Sequence, residues 1–248
     1  MKYLFATVLC AAAAAAVLTV PAQAQSQRQN NNGMQTGTRF QRSAETADPD
    51  QGRRMQKQVA NCVFSRNRED VRTLLANSNF YNVDFAAAGM DSETLFEDLE
   101  VNYCIGRLMR GADNQTYHTY MQIQFATLRN LLAEEAYLQD FDGPPTIDSA
   151  SVQDVAGRFG PGRVHSQVTT MAALADCMTY NAMDAAHEML DSRPGSNDEA
   201  EAVAVLGPVL ATCANTDEAS LSIGTSLIRQ IAADGLWSRS HYGSGSAS

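Results

Sequence analysis

The apolar positions step by three and four along most of the chain, and the polar residues between them mark where helices begin and end. From Gln56 to Phe64, Val59, Cys62 and Val63 fall on one side of a predicted helix. A second, Arg68 to Ala76, carries Val71, Leu74 and Leu75 on one face. Asn67 is its expected cap, and Glu69 and Asp70 sit beside the positive end of its dipole. Asn77 to Gly89 reads as a loop whose Phe80, Tyr81 and Phe85 fold back onto the core. A helix capped by Asp91 or Ser92 is then expected through Cys104, with Phe96, Leu99 and Tyr103 sharing a face. After a break at Gly111-Ala112-Asp113-Asn114, the residues Tyr117, Met121, Phe125, Leu128, Leu132 and Ala136 line a long amphipathic stretch expected to be helix, either continuous or interrupted near Thr119.

Gly143-Pro144-Pro145 and Gly160-Pro161-Gly162 punctuate residues 140–167 as a linker, with a short helix from Ser149 to Arg158 inside it. Val168, Met171, Leu174 and Met178 make the next apolar stripe, and Asn181 is the expected cap of the helix that follows. Ser196 and Glu199 form an S-x-x-E capping pattern ahead of a helix from Val203 to Cys213. Pro208 predicts a kink or a split within it. The last helix, about Glu218 to Trp237, is weakened by Gly224 and Gly235. No stretch alternates with period two in β-branched residues, so the predicted fold class is all-α.

Part of this pattern is written twice. ANCVFSRNREDVRTLLANS, Ala60 to Ser78, returns without a gap as ADCMTYNAMDAAHEMLDSR, Ala175 to Arg193, which places Cys62 on Cys177, Glu69 on Asp184 and Leu75 on Leu190. Each copy is followed by a second cysteine, Cys104 or Cys213, and then by an arginine helix. LRNLLAEEAY, Leu128 to Tyr137, matches IRQIAADGLW, Ile228 to Trp237. The organisation read from this is two tandem disulfide-clipped helical units of about four helices each, 56–139 and 168–237, packed as a helical bundle or short solenoid. Residues 25–55 are too poor in aliphatic side chains to offset ordering entropy and read as disordered. Residues 238–248 read as a flexible Gly/Ser tail.

The first 24 residues have the form of an export signal. Lys2 supplies the positive start, Leu4 to Val20 the apolar core, and Ala22-Gln23-Ala24 a cleavage site after Ala24. The expected address is therefore periplasmic or secreted, with no membrane span in the mature chain. The whole sequence holds 18 basic and 28 acidic residues, a net charge of −10. Loss of Lys2 makes it one unit more negative, and an acidic chain without a basic cluster is a poor binder of nucleic acid or anionic lipid. Four cysteines remain after cleavage, an even number in a compartment where disulfides persist. They allow three pairings, of which the repeat favours Cys62 with Cys104 and Cys177 with Cys213.

Candidate chemistry is sparse. His118, His165, His187 and His241 are scattered, and His187-Glu188 lacks a second histidine where Asp191 stands. There is no C-x-x-C, and Asp140-Phe141-Asp142-Gly143 starts like a calcium loop without a closing glutamate. No metal or other cofactor is expected. Glu93, Glu97 and Glu100 share one face of their predicted helix, the best case for a cell-envelope hydrolase working with carboxylates. No nucleophile elbow or phosphate loop accompanies them. The repeated pair Arg129 with Glu134, and Arg229 with Asp234, is five residues apart and so points to different faces. Each could pair with a neighbouring helix of its own unit, or line a groove between the units. Tyr137 and Trp237 read as core residues at equivalent helix ends.

In order, a cysteine helix, a short Leu-Leu helix, a second cysteine and an LRxxLAEEAY-like helix resemble exported, alanine-rich, four-cysteine helical proteins of alphaproteobacteria without an assigned activity. The resemblance covers about Gln56 to Trp237 and implies no catalytic residues. The function expected from all this is a non-catalytic helical protein that binds an envelope component or protein partner. The alternatives are the carboxylate hydrolase and a small-ligand carrier with an apolar site between the units near Arg129 or Arg229.

Overall fold

Residues 48–109, 123–145, 166–216 and 223–242 are described by the computed structural model. All of them lie within one compact unit, Ala44–Ser248. They form ten helices and no strand, apart from an isolated bridge between Ser78 and Val83. None of these helices is long and apolar enough to cross a membrane. The export signal, residues 25–47, the Gly111–Asn114 break, most of the linker with its Ser149–Arg158 helix, His118, His165 and the last six residues lie outside the described residues.

Helix α1 spans Pro49–Arg66, so it starts inside the segment whose composition reads as disordered. Pro49 opens it where no amide donor is needed. Its first turns are then held by tertiary bonds: Arg53 donates to Glu199 at 2.6 and 2.8 Å, and Arg54 to the Pro194 carbonyl at 3.1 Å. Helix α2 spans Arg68–Ala76. Asn67 does not cap it; its amide donates backwards to the Val63 carbonyl and across to the Leu99 carbonyl at 2.9 Å. A short α3, Phe85–Ala88, is capped by Asp84.

The single helix expected from Asp91 to Cys104 is two, α4 (Leu95–Asp98) and α5 (Val101–Met109). The chain breaks at Glu100, which has φ +53°. Asn67 occupies the Leu99 carbonyl, which a continuous helix would have used, and Arg66 holds the Glu100 side chain at the break. As a result Leu99 is buried while Tyr103 is 45% exposed beneath the Arg66 guanidinium. The two do not share a face.

Helix α6 spans Phe125–Asp140, and the second half adds α7 (Ser166–Asn181), α8 (Met183–Asp191), α9 (Asn197–Cys213) and α10 (Thr225–Tyr242). Asn181 donates to the Cys177 carbonyl at 2.8 Å instead of capping α8. Ser196 does cap α9, accepting from the Glu199 amide at 3.2 Å, and α9 runs through Pro208 without a split. Helix α10 continues past Trp237 because Arg239 is buried against Asp176 of α7.

Helices α6 and α10 form the central pair of this unit. Every residue of α6 from Leu128 to Tyr137 is buried, and so are most of those of α10 from Ile228 to Arg239. One continuous apolar core draws on both halves, with Leu74, Leu75, Leu128 and Leu132 from the first and Met178, Leu190, Ile231 and Leu236 from the second. Disulfides Cys62–Cys104 and Cys177–Cys213 each close within one half, tying α1 to α5 and α7 to α9.

At the α7–α10 crossing a Cβ on Gly235 would lie 2.6 Å from both the Ala175 carbonyl oxygen and Thr179 Cγ2. Only a residue without a side chain allows that approach. Gly235→Ala is therefore expected to lower stability by about 1–3 kcal/mol through overpacking, read by chemical denaturation. A neutral or stabilising result would mean that the helices are further apart.

Candidate functional site

The arginines of α6 and α10 are built from the same local pattern and reach across to each other's helix. Arg129 pairs with Asp234, and Arg229 donates to both oxygens of Glu134 at 2.8 and 3.0 Å. An early residue meets a late one in both cases, so the helices run antiparallel and exchange countercharges. All four side chains are at least 95% buried. Glu134 also pairs with Lys57 and Arg229 with Glu199 inside their own halves, so the four side chains join both kinds of pairing; buried as they are, they line no open groove and act as internal braces. Beside Arg229 the free volume is only about 20 Å³, too small for a ligand. The apolar site that a carrier would need there is absent among the described cavities.

Arg129 is further held by Ser78 and Asn130, and lies 5.7 Å from the centre of the Trp237 ring. Tyr137, the equivalent of Trp237, is bonded to His187 Nδ1 at 2.8 Å and stacked on Phe141. The Arg229 side anchors a wider network. Its guanidinium also donates to Glu199 at 2.9 Å and to the Leu190 and Ser192 carbonyls at 2.7 and 2.9 Å. Lys57 of α1 pairs with Glu134 and donates to the same Leu190 carbonyl. Glu199 takes Arg53 on its other side and the Gly195 amide at 2.7 Å. Burial alone would raise the pKa of Glu134, but Arg229 and Lys57 more than offset it and hold the carboxyl below its ordinary range. Glu199 is also burdened by burial, and Arg53, the Gly195 amide and Arg229 bring it down.

Next to this satisfied network stands one carboxylate that is not satisfied. Glu135, adjacent to Glu134 on α6, is 6% exposed. Its Oε2 accepts from the Asn61 amide at 2.7 Å, while its buried Oε1 has no hydrogen-bond partner among the described residues. Burial pushes its pKa up, and the neighbouring charge of Glu134 adds to the rise against the Asn61 bond.

Glu135 lies at the floor of a cleft of about 630 Å³ between α1 and the turn joining α8 to α9. The α1 wall carries Gln51, Arg54, Lys57, Gln58 and Asn61, and the opposite wall Asp191, Ser192, Arg193 and Pro194. The turn comes this close to α1 because Gly195, at φ +80°, would put a Cβ 2.7 Å from the Asp50 side chain. Arg54 and Arg193 have no ion-pair partner within 4 Å among the described residues, so their two guanidinium groups stand on the cleft walls without direct pairing, the Asp191 carboxylate being the other charge of the Arg193 wall.

The other sequence candidates are dispersed. Glu93 precedes α4, Glu97 lies within it, and Glu100 sits at the break and is engaged by Arg66. The three are not on one helix and line none of the described cavities, so the shared carboxylate face is not formed. Among the described residues no group of three or more histidine, cysteine or acidic side chains is placed to hold a metal ion. Arg53, Lys57, Asn61, Glu135 and Glu199 escaped the sequence reading as site residues. A signal for Glu135 was present: on a helical wheel it falls between Leu131 and Leu128, at the edge of the apolar stripe.

An ionised Glu135 with an orphan oxygen costs stability, because its folded pKa is raised. The stability it allows is complete below the ordinary carboxylate value of 4.5 and is lost as pH rises through the folded value. Glu135→Gln is therefore expected to raise the melting temperature at pH 7 by a few degrees, about 2–4 °C per kcal/mol recovered. The gain should vanish near pH 4. A variant that melts lower than the parent at pH 7 would show the carboxylate to be a structural support. No family model, curated protein or solved structure matches this chain.

Proposed function

We propose that this chain is an exported, non-catalytic binding protein whose recognition site is the cleft between α1 and the α8–α9 turn. The observation that carries the reading is Glu135: a buried carboxylate left half-satisfied at the floor of a ligand-sized cleft, beside a network in which Glu134 and Glu199 are fully paired. Perturbed, under-partnered ionisable groups in concave sites are candidates for function. The two disulfides and the leader-like pattern of residues 1–24 support the exported address. In this reading the two cysteine clips, one in each half, stiffen the helices that form the cleft walls. The rigid walls lower the ordering cost of binding.

The test is to fill the cleft. The low-molecular-weight fraction of a native envelope extract should raise the melting temperature of the mature protein and leave that of Gln58→Trp unmoved. Equal responses from the two proteins, or none from either, would remove the cleft from consideration. N-terminal mass analysis of the exported protein should find Gln25 first; an intact leader would overturn the address.

A further inference from the structure

We infer that the cleft takes a zwitterionic ligand of the amino-acid or short-peptide class, its α-ammonium group set against Glu135 and its carboxylate against Arg54 and Arg193. The inference rests on the cleft being a recognition site and names what it recognises.

Three observations place the two ends of such a ligand. At the floor, Glu135 Oε1 is a buried acceptor without a donor, and an ammonium group brings three donors and the opposite charge. Carboxylates adapt to such a partner easily, since the terminal torsion of glutamate is soft. The Asn61 and Gln58 side-chain amides lie on the same wall and offer further acceptor oxygens. On the walls, Arg54 spends one donor on the Pro194 carbonyl, and the Arg193 guanidinium donates no hydrogen bond among the described residues, only its backbone carbonyl accepting from the Ser196 amide. Each guanidinium is a planar fork of donors of the kind that suits a carboxylate, and both line this cleft. Lys57, the third cation of the cleft, is already committed to Glu134 and to the Leu190 carbonyl.

A purely anionic ligand would leave Glu135 worse off, because it would set a second negative charge near an unsatisfied one. A purely cationic ligand would satisfy the floor and meet the arginines with repulsion. A ligand that carries both charges satisfies both ends. The volume, about 630 Å³, lies in the range of pockets that hold drug-sized molecules and exceeds what one amino acid fills, so a short peptide suits it better.

The experiment is a calorimetric titration of the oxidised mature protein with tri-alanine, its N-acetyl form, its C-terminal amide and free L-alanine. Tri-alanine is expected to bind saturably at one site. N-acetylation should weaken it by about tenfold or more, the usual consequence of leaving a buried ionised group unpaired. Amidation should weaken it less, because the arginines remain hydrated at the walls. Glu135→Gln should abolish the difference between tri-alanine and its N-acetyl form, in a protein that melts no lower than the parent. The double change Arg54→Gln with Arg193→Gln should abolish the difference between the acid and the amide. Equal binding by free L-alanine would assign the same ammonium recognition to free amino acids. N-acetyl-tri-alanine binding as tightly as tri-alanine, or no saturable binding in any arm, would overturn the inference. If the envelope extract still shifts the parent and spares Gln58→Trp, that failure falls on the ligand class alone and leaves the cleft standing.

Discussion

Replacing Arg229 with methionine is expected to destabilise the protein by about 3–5 kcal/mol, the largest effect of any single substitution proposed here. The guanidinium serves two buried carboxylates and two backbone carbonyls, those of Leu190 and Ser192. Methionine fills much of the volume and supplies none of the donors. Glu134 is then left with Lys57 and Glu199 with Arg53, each partner lying nearer the surface than Arg229. The cost is chiefly that of burying half-paired charge, so Arg229→Met combined with Glu134→Leu should recover part of it. A pH series adds a second reading. Glu134 and Glu199 have folded pKa values below the ordinary 4.5, so their stability is present above that value and lost as pH falls through the folded values. Removing Arg229 takes away a cause of both shifts and should flatten the acid limb of the curve. Denaturation of the oxidised protein measures both effects, and a loss below about 1 kcal/mol would mean that these charges are solvated.

Removing a cystine is expected to cost nearly as much. The bonds span 42 and 36 residues of chain. Loops of that length correspond to about 4 kcal/mol each in the chain-entropy view of cross-linking. Cys62→Ala with Cys104→Ala, and Cys177→Ala with Cys213→Ala, should therefore each lower the unfolding free energy by roughly that amount, measured by urea titration. Digestion without reductant should join peptides within each half. Peptides joined between the halves would contradict the arrangement, and so would a double mutant as stable as its parent.

The helices were readable where periodicity and core burial agree. The positions Val71, Leu74 and Leu75 on α2, and Leu128, Leu132 and Ala136 on α6, are apolar at helical spacing and are buried. The repeat also led to the cysteine pairs. What escaped was set by contacts distant in sequence. Arg53 and Arg54 make the start of α1 helical by binding Glu199 and Pro194, well over a hundred residues away, and composition around them shows only polarity. Asn67 and Asn181 have the residue type of N-caps, yet both turn back to close the preceding helix, a choice made by the angle of the chain at each junction. The crosswise exchange of Arg129 and Arg229 was hidden for a related reason. Spacing of five shows that the two members of a pair part company, but not which helix each will meet.

The cleft illustrates the same limit. Its walls come from α1 and from the α8–α9 turn, and its floor from the middle of α6. No short motif joins three such segments. Glu199 stood out as half of a capping pattern, and its amide does bond Ser196. Its carboxylate, which the pattern would send back to the Ser196 amide, goes instead to Arg53, Arg229 and the Gly195 amide. Residues drawn away from their local roles in this way mark where tertiary structure has overruled the sequence neighbourhood.

The antiparallel contact of α6 with α10 has an implication for any shortened version of the chain. A polypeptide that stopped after α6 would carry Arg129 without Asp234, and Glu134 with Lys57 but without Arg229, each turned outward from what had been the interior. What would answer both at once is another such helix laid head to tail, because the same two residue types recur in the reversed order. Self-pairing into a symmetric dimer, or precipitation, is then the fate open to an isolated first half, and a soluble monomer is not.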